Sequence, residues 1–103
     1  MTTPTLIGSL DTPCVVVDLD VVERNIRRLQ EYLDAHGVAN RPHIKTHKLP
    51  LIARWQVEAG AVGITTQSIG EAEVMAAAGL DDILVTYNVI GEEKVRRPAR
   101  LAR

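Results

Sequence analysis

The chain has little of what marks several large classes of protein. Cysteine occurs once, at Cys14, so a disulfide-stapled scaffold is excluded and a reducing compartment is expected. Aromatic residues make up 3% of the sequence, and none interleaves with the basic residues as a base-stacking platform requires. No apolar run approaches the roughly 18 residues of a membrane span. The start, Met1 to Gly8, lacks the basic region and apolar stretch of a secretory signal, so a cytoplasmic location without a membrane partner is expected. A net charge of −1 provides no global basic field for nucleic acid. There is no glycine-rich phosphate loop, low-complexity segment, linker or sequence repeat. What is present is 46% apolar and 24% charged over 103 residues, an ordinary composition for one small globular domain.

Strand and helix patterns alternate. Residues 14–18, Cys-Val-Val-Val-Asp, form a β-branched run that predicts a strand. Asp20 with Glu23 three residues on has the spacing of a capping box. Behind it Val22, Ile26, Leu29 and Leu33 make one apolar stripe, and Gly37 closes the predicted helix. A second helix is predicted from Pro50, with Ile52, Trp55 and Ala59 on one side and Gly60 as its stop. A strand follows at 62–67. Ser68 and Glu71 make a second capping box, opening an Ala-rich helix that ends at Gly79. Ile83 to Tyr87 reads as a strand buried on both faces. A last helix begins near Glu92, with Pro98 placed to kink or end it. Strands separated by single helices imply βαβ units and a parallel sheet, an α/β fold.

Arg41-Pro-His-Ile-Lys-Thr-His-Lys48 breaks the pattern. By position it should contain a strand, yet five of its eight residues are Lys, His or Arg. A local rule broken inside a consistent sequence points to a functional site. In an extended segment His43 and Lys45 share one face and Ile44 takes the other. In an α/β barrel Lys45 would then lie near the C-terminal end of its strand, where such barrels carry their chemistry. Partial desolvation there favours the neutral amine, a nucleophile that forms imines with carbonyl groups. Three other readings stay open at this level. The segment could be a solvated basic loop. His43 and His47 could form an i, i+4 metal pair on a helix, which Pro42 opposes. The cluster could also hold phosphate or nucleic acid. Around this segment Gln67, Thr86, Tyr87 and Asn88 fall at strand ends, where they could face the same site or simply meet solvent or packing. Ser68 is explained as an N-cap, and Trp55 and Met75 as core residues.

Asp11 to Asp20, Glu23-Arg-Asn25 and the Pro-His-x-Lys-Thr-His-Lys motif resemble the start of the D-threonine aldolase and D-serine dehydratase group, related to alanine racemase. Ala59 to Gly63, Ser68 to Glu73 and Ala78 to Thr86 continue the likeness, which runs from about Leu10 to Glu92. The resemblance implies pyridoxal 5'-phosphate held covalently on Lys45, with His43 and Gln67 as further cofactor-binding residues. It implies a lyase acting on small D-hydroxy-amino acids as aldolase or dehydratase. Released Lys45 would serve as a general base in the second case. A racemase, disfavoured by the Thr-His-Lys after Lys45, and a non-catalytic pyridoxal-phosphate-binding protein are the alternatives.

The implied fold is the first three βα units of an incomplete (β/α)8 barrel, at 41–45, 62–67 and 83–87, preceded by one strand and a helix. A whole barrel needs about 200 residues or more. Residues 1–103 are therefore expected to be an N-terminal fragment of the barrel domain, without the C-terminal β-domain and inactive alone. No metal ligand is expected here. In full-length relatives, which are expected to be homodimers, later loops would hold the phosphate and the C-terminal domain a divalent metal.

Overall fold

The computed structural model describes residues 6–102. After a short 3-10 turn at Ile7–Ser9 come helices α1 (Leu19–Ala35) and α2 (Pro50–Glu58). Strand β1 (Ile64–Thr66), helix α3 (Ile69–Ala77), strand β2 (Ile83–Val85) and helix α4 (Glu92–Leu101) follow. Among the described residues no helix is long and apolar enough to cross a membrane.

Local chemistry accounts for the helix limits. The cap of α1 is Asp18, two residues before the expected Asp20. Its carboxylate accepts the N–H groups of Asp20, 3.0 Å, and Val21, 3.2 Å. Asp20 is thus one of the donors that a cap must satisfy. At the other end Gly37 takes φ +66°. This lets Val38 N–H donate to Leu33 O at 3.0 Å and Gly37 N–H to Asp34 O at 3.1 Å, the paired bonds of a left-handed helix stop. Gly79, at φ +94°, ends α3 in the same way. Pro50 opens α2 as expected. At α3 the Ser68 hydroxyl accepts Glu71 N–H at 3.2 Å, and Glu71 Oε1 accepts Gln67 N–H at 3.1 Å. Ser68 is thus the cap as expected, while Glu71 reaches back to the N–H of Gln67 instead of the Ser68 N–H of a standard capping box. α4 runs through Pro98 to Leu101 instead of ending there. Ion pairs Arg97–Glu73, Arg96–Glu92 and Arg100–Glu93 tie it to α3 and to itself.

Strands β1 and β2 pair in parallel, with Thr65 opposite Leu84. The expected strand at 41–45 is reduced to a single parallel bridge between His43 and Thr65. Ile44 N–H donates to Thr65 O at 2.9 Å and Thr65 N–H to Pro42 O at 2.8 Å. The next rung below would need an N–H on Pro42, which has none. The next rung above would join Gln67 N–H to Ile44 O. The Gln67 N–H is instead taken by Glu71, and Ile44 O accepts Lys48 N–H at 2.8 Å. A backbone N–H spent on a cap cannot also build a ladder.

The strand expected at 14–18 is absent. Val15 is 93% exposed, Val16 and Val17 are also exposed, and among the described residues no backbone pairing joins this run to another extended segment. β-branched propensity favours a strand only where a partner supplies the hydrogen bonds. The apolar stripe of α1 also needs correction. Leu29 is exposed, and the buried residue of this helix is Gln30. Gln30 donates to Asp34 Oδ1 at 2.9 Å, accepts from Asn40 at 3.1 Å and packs over Gly60.

Ile44, Ala53, Ile64, Met75 and Leu80 form the core, with Val57 and Ile83 packed against it. Ile64 and Thr66 therefore face the helices together with Ile44, while His43 and Thr65 lie on the other side of the sheet. Thr66 is fully buried and its hydroxyl has no hydrogen-bond partner. Replacing both members of a buried polar pair with apolar groups can be neutral, whereas an unsatisfied group carries a penalty of about 1–3 kcal/mol. Thr66→Val is accordingly expected to leave stability unchanged or raise it by about 1 kcal/mol in urea unfolding. A loss of that size would show that the hydroxyl is satisfied in solution.

Candidate active site

The parallel register arranges one face of the sheet in rows. His43 stands opposite Thr65 and Thr65 opposite Leu84. With a side-chain period of two, Arg41, Gly63 and Asp82 form the row below. Arg41 Nη1 lies 2.7 Å from Asp82 Oδ1 and donates to Ile64 O at 3.2 Å, spanning the position of Gly63. The hydrogen bond from Arg41 holds the Asp82 carboxyl below its usual range, against a smaller opposing effect of burial. Arg41, counted with the basic motif in the sequence, is thereby assigned to the N-terminal edge of the sheet. The sequence reading had no place for Asp82.

The same count puts Lys45, Gln67 and Thr86 one level above His43, at the C-terminal edge. There the chain leaves the ladder. Residues 44–48 form a turn closed by the Lys48 N–H bond to Ile44 O, with Lys48 at φ 55°. Two histidines bracket it in the same manner. His43 Nδ1 accepts Lys45 N–H at 3.2 Å, and His47 Nδ1 accepts Leu49 N–H at 2.9 Å. The other ring nitrogen of His47 lies 3.2 Å from Gln56 Oε1 on α2. An Nδ1 that accepts carries no proton, so the Nε2–H of His47 donates to Gln56. Burial lowers the His47 pKa, only partly opposed by the Gln56 bond, and so favours the neutral ring. Residues 43–47 form no helix, so the helical i, i+4 spacing of a metal pair is not formed.

Lys45 is exposed, and among the described residues its side chain has no hydrogen-bond or ion-pair partner. The expected partial desolvation is not met, because no described element covers this face of the sheet above His43. Leu84, on the same face, is exposed too. The site therefore presents an accessible primary amine beside an imidazole whose Nδ1 is held by the Lys45 backbone.

Gln67 is half-buried and borders a cavity of about 150 Å³ with Ser68, Tyr87, Asn88, Lys94 and Arg97. Lys45 and His43 do not line it. The structure thus brings His43 to Lys45, and Gln67 to Tyr87 and Asn88, at one edge of the sheet but not into one cavity. Thr86 is structural, its hydroxyl donating to Thr66 O at 3.1 Å. Met75 is core, and Trp55 lines a groove between α1 and α2.

Residues 17–102 match the family described as alanine racemase, N-terminal domain. The chain is 53% identical over 81 residues to the D-threo-3-hydroxyaspartate dehydratase of a Delftia strain, covering 79% of this chain and 21% of that relative. It is 42% identical over 95 residues to the 3-hydroxy-D-aspartate aldolase of Paracoccus denitrificans, covering 91% of this chain and 24% of the relative. The crystal structure of D-threonine aldolase from Filomicrobium marinum superposes with a TM-score of 0.89 at 41% identity, over 93% of this chain and 26% of that one. The chain spans about a quarter of the length of the curated relatives it matches.

Proposed function

The chain belongs to the alanine racemase N-terminal domain family, and from that premise we propose that it carries the cofactor-attachment region of a pyridoxal-phosphate-dependent lyase for small D-amino acids with a β-hydroxyl. The reaction is of the D-threonine aldolase or D-serine dehydratase type. The relatives named above support this class, since each name is that of an aldolase or dehydratase of a β-hydroxy amino acid. The bridged segment at His43, with β1 and β2, is read as successive βα units of a (β/α)8 barrel. Lys45 then stands at the C-terminal ends of the strands, where such barrels place chemistry.

One observation carries the proposal. Ile44 is fully buried against the helices, and the next residue, Lys45, is exposed at the C-terminal edge of the sheet. Burial of Ile44 anchors the amine without covering it. The donor set fits pyridoxal phosphate at its aldehyde end. Lys45 offers an accessible nitrogen for the covalent bond, and His43 and Gln67 are the nearby polar groups at the same edge. When bound, the cofactor supplies an electron sink for charge at the substrate Cα. Lys45 Nζ would hold the cofactor and, as a free amine, would be the group at this edge able to move a proton at the substrate Cα. With Nδ1 accepting the Lys45 N–H, the ring proton of His43 is carried on Nε2, which is left as a donor. An aldolase cleaves the Cα–Cβ bond to glycine and an aldehyde. A dehydratase loses the Cα proton and the β-hydroxyl, ending in a keto acid and ammonia.

The test is to mix the chain with pyridoxal phosphate, reduce with borohydride and locate the adduct by peptide mass spectrometry. Lysine occurs at only three positions, 45, 48 and 94. The adduct is expected predominantly on Lys45. Equal distribution over the three would overturn the proposal.

A further inference from the structure

The motif's second histidine has no part in the reading above, although its ring is more fully bonded than any other side chain in the turn. His47 Nδ1 accepts the N–H of Leu49, the residue that caps α2, at 2.9 Å. Its Nε2–H donates to Gln56 Oε1, almost two turns further along the same helix, at 3.2 Å. One side chain thus ties the turn bearing Lys45 to two points on α2. The turn needs such a tie. Beyond its closing bond, Lys48 N–H to Ile44 O, the chain turns into α2 through Lys48 at φ 55°, a backbone region unfavourable for a residue with a Cβ. A strained conformation persists only where its surroundings over-determine it. Here the fixed points are Ile44 in the core on one side and His47 on α2 on the other.

We propose that His47 is a positioning residue for Lys45, acting in its neutral Nε2–H form by clamping the 44–48 turn to α2. This rests on the reading of Lys45 as the attachment lysine. His43 applies the same bond to the front of the turn, accepting the Lys45 N–H itself. The two histidines of Pro-His-x-Lys-Thr-His-Lys are then a matched pair of i to i+2 side-chain caps around the reactive amine, a role that Asn and Asp side chains fill in Asx turns.

That equivalence supplies the test. His47→Leu removes both bonds, and His47→Asn restores an oxygen near Nδ1 for the Leu49 N–H. With pyridoxal phosphate and borohydride, His47→Leu is expected to lower the Lys45 share of adduct at least about tenfold relative to Lys48 and Lys94, the lower end of what the loss of two hydrogen bonds gives. His47→Asn is expected to recover most of it. A merely structural role would lower unfolding midpoints without changing the distribution among lysines. An unchanged distribution in His47→Leu overturns the proposal. So does failure of His47→Asn to recover labelling when its Leu49 amide is protected from hydrogen exchange. Should both variants fail to fold, the ring itself decides. Nitrogen chemical shifts of His47 in the unmodified chain are expected to show the Nε2–H tautomer, and the Nδ1–H tautomer would overturn the clamp. Absence of Lys45 labelling in the unmodified chain is a different failure. It removes the attachment reading, and the positioning role with it, whereas normal labelling with an unaffected His47→Leu removes the positioning role alone.

Discussion

Lys45→Arg is expected to abolish the dominant borohydride-trapped adduct of pyridoxal phosphate, leaving only background on Lys48 and Lys94. Arginine preserves the positive charge and much of the length of the side chain. Its guanidinium stays protonated at any accessible pH, so it offers no nucleophilic nitrogen to an aldehyde. Any electrostatic attraction between this edge of the sheet and the cofactor phosphate therefore survives the substitution, and only the covalent step is lost. The fold should tolerate the change, because Lys45 is exposed and its side chain holds nothing else in place among the described residues. A far-ultraviolet circular dichroism spectrum matching that of the unmodified chain accompanies the expected result. Equal total labelling in Lys45→Arg would show that the amine is not the attachment point. Lys48→Arg is the matching control. It lies three residues on, is also exposed, and should leave the Lys45 adduct in place.

The largest expected effect on stability comes from Gly63→Ala. Gly63 is buried in the row with Arg41 and Asp82. A Cβ there would lie 2.5 Å from Arg41 Nη1, 2.5 Å from the Asp82 carbonyl oxygen and 2.8 Å from Asp82 Cγ. The guanidinium can swing away. The carbonyl cannot, because it accepts Ile64 N–H at 2.9 Å and so begins the pairing of β1 with β2. Relief requires the two strands to part at the first rung of a sheet only three residues long on each side. Overpacking of this kind costs about 1–3 kcal/mol, and with the rung lost the expected destabilisation is about 3 kcal/mol. Urea unfolding followed by the fluorescence of Trp55, the single tryptophan, measures it. In an Arg41→Ala background part of the penalty should disappear, since one of the crowded groups is gone. The part due to the Asp82 carbonyl should remain. A change below about 0.5 kcal/mol, the usual size for an innocuous surface substitution, would mean that the row is looser than its distances indicate.

Much of this was legible because it is local. The cap at Ser68, the helix ending at Gly79 and the opening proline of α2 depend on groups within a few residues, and short-range spacing specifies them. The alternation of Ile44 with His43 and Lys45 was readable for the same reason. The likeness of 41–48 to a known motif pointed to Lys45 independently of that alternation.

The misreadings concern groups distant in sequence that compete for one another. Residues 14–18 have the composition of a strand, but composition cannot supply the partner whose N–H and C=O groups a strand requires. The segment at 41–45 was expected to pair as a full strand. Whether it could depended on where Gln67 N–H found its bond, and it found it in the cap. Arg41 looked like part of the active-site cluster until the register set it in one row with Asp82, forty-one residues away along the chain. Gln30 lay outside the apolar stripe and is nevertheless the buried residue of α1, because Asn40 and Asp34 satisfy its amide.

For this chain, then, the order of residues was enough to establish the α/β alternation, most of the helix limits and the identity of the candidate lysine. Those properties rest on propensity, spacing and side-chain chemistry within one turn or one strand. The number of paired rungs, the end of the sheet to which each basic residue belongs and the bonds that hold His47 and Lys45 in their turn came from packing. Each backbone N–H has one proton to donate, and which of several acceptors takes it is settled when distant segments meet.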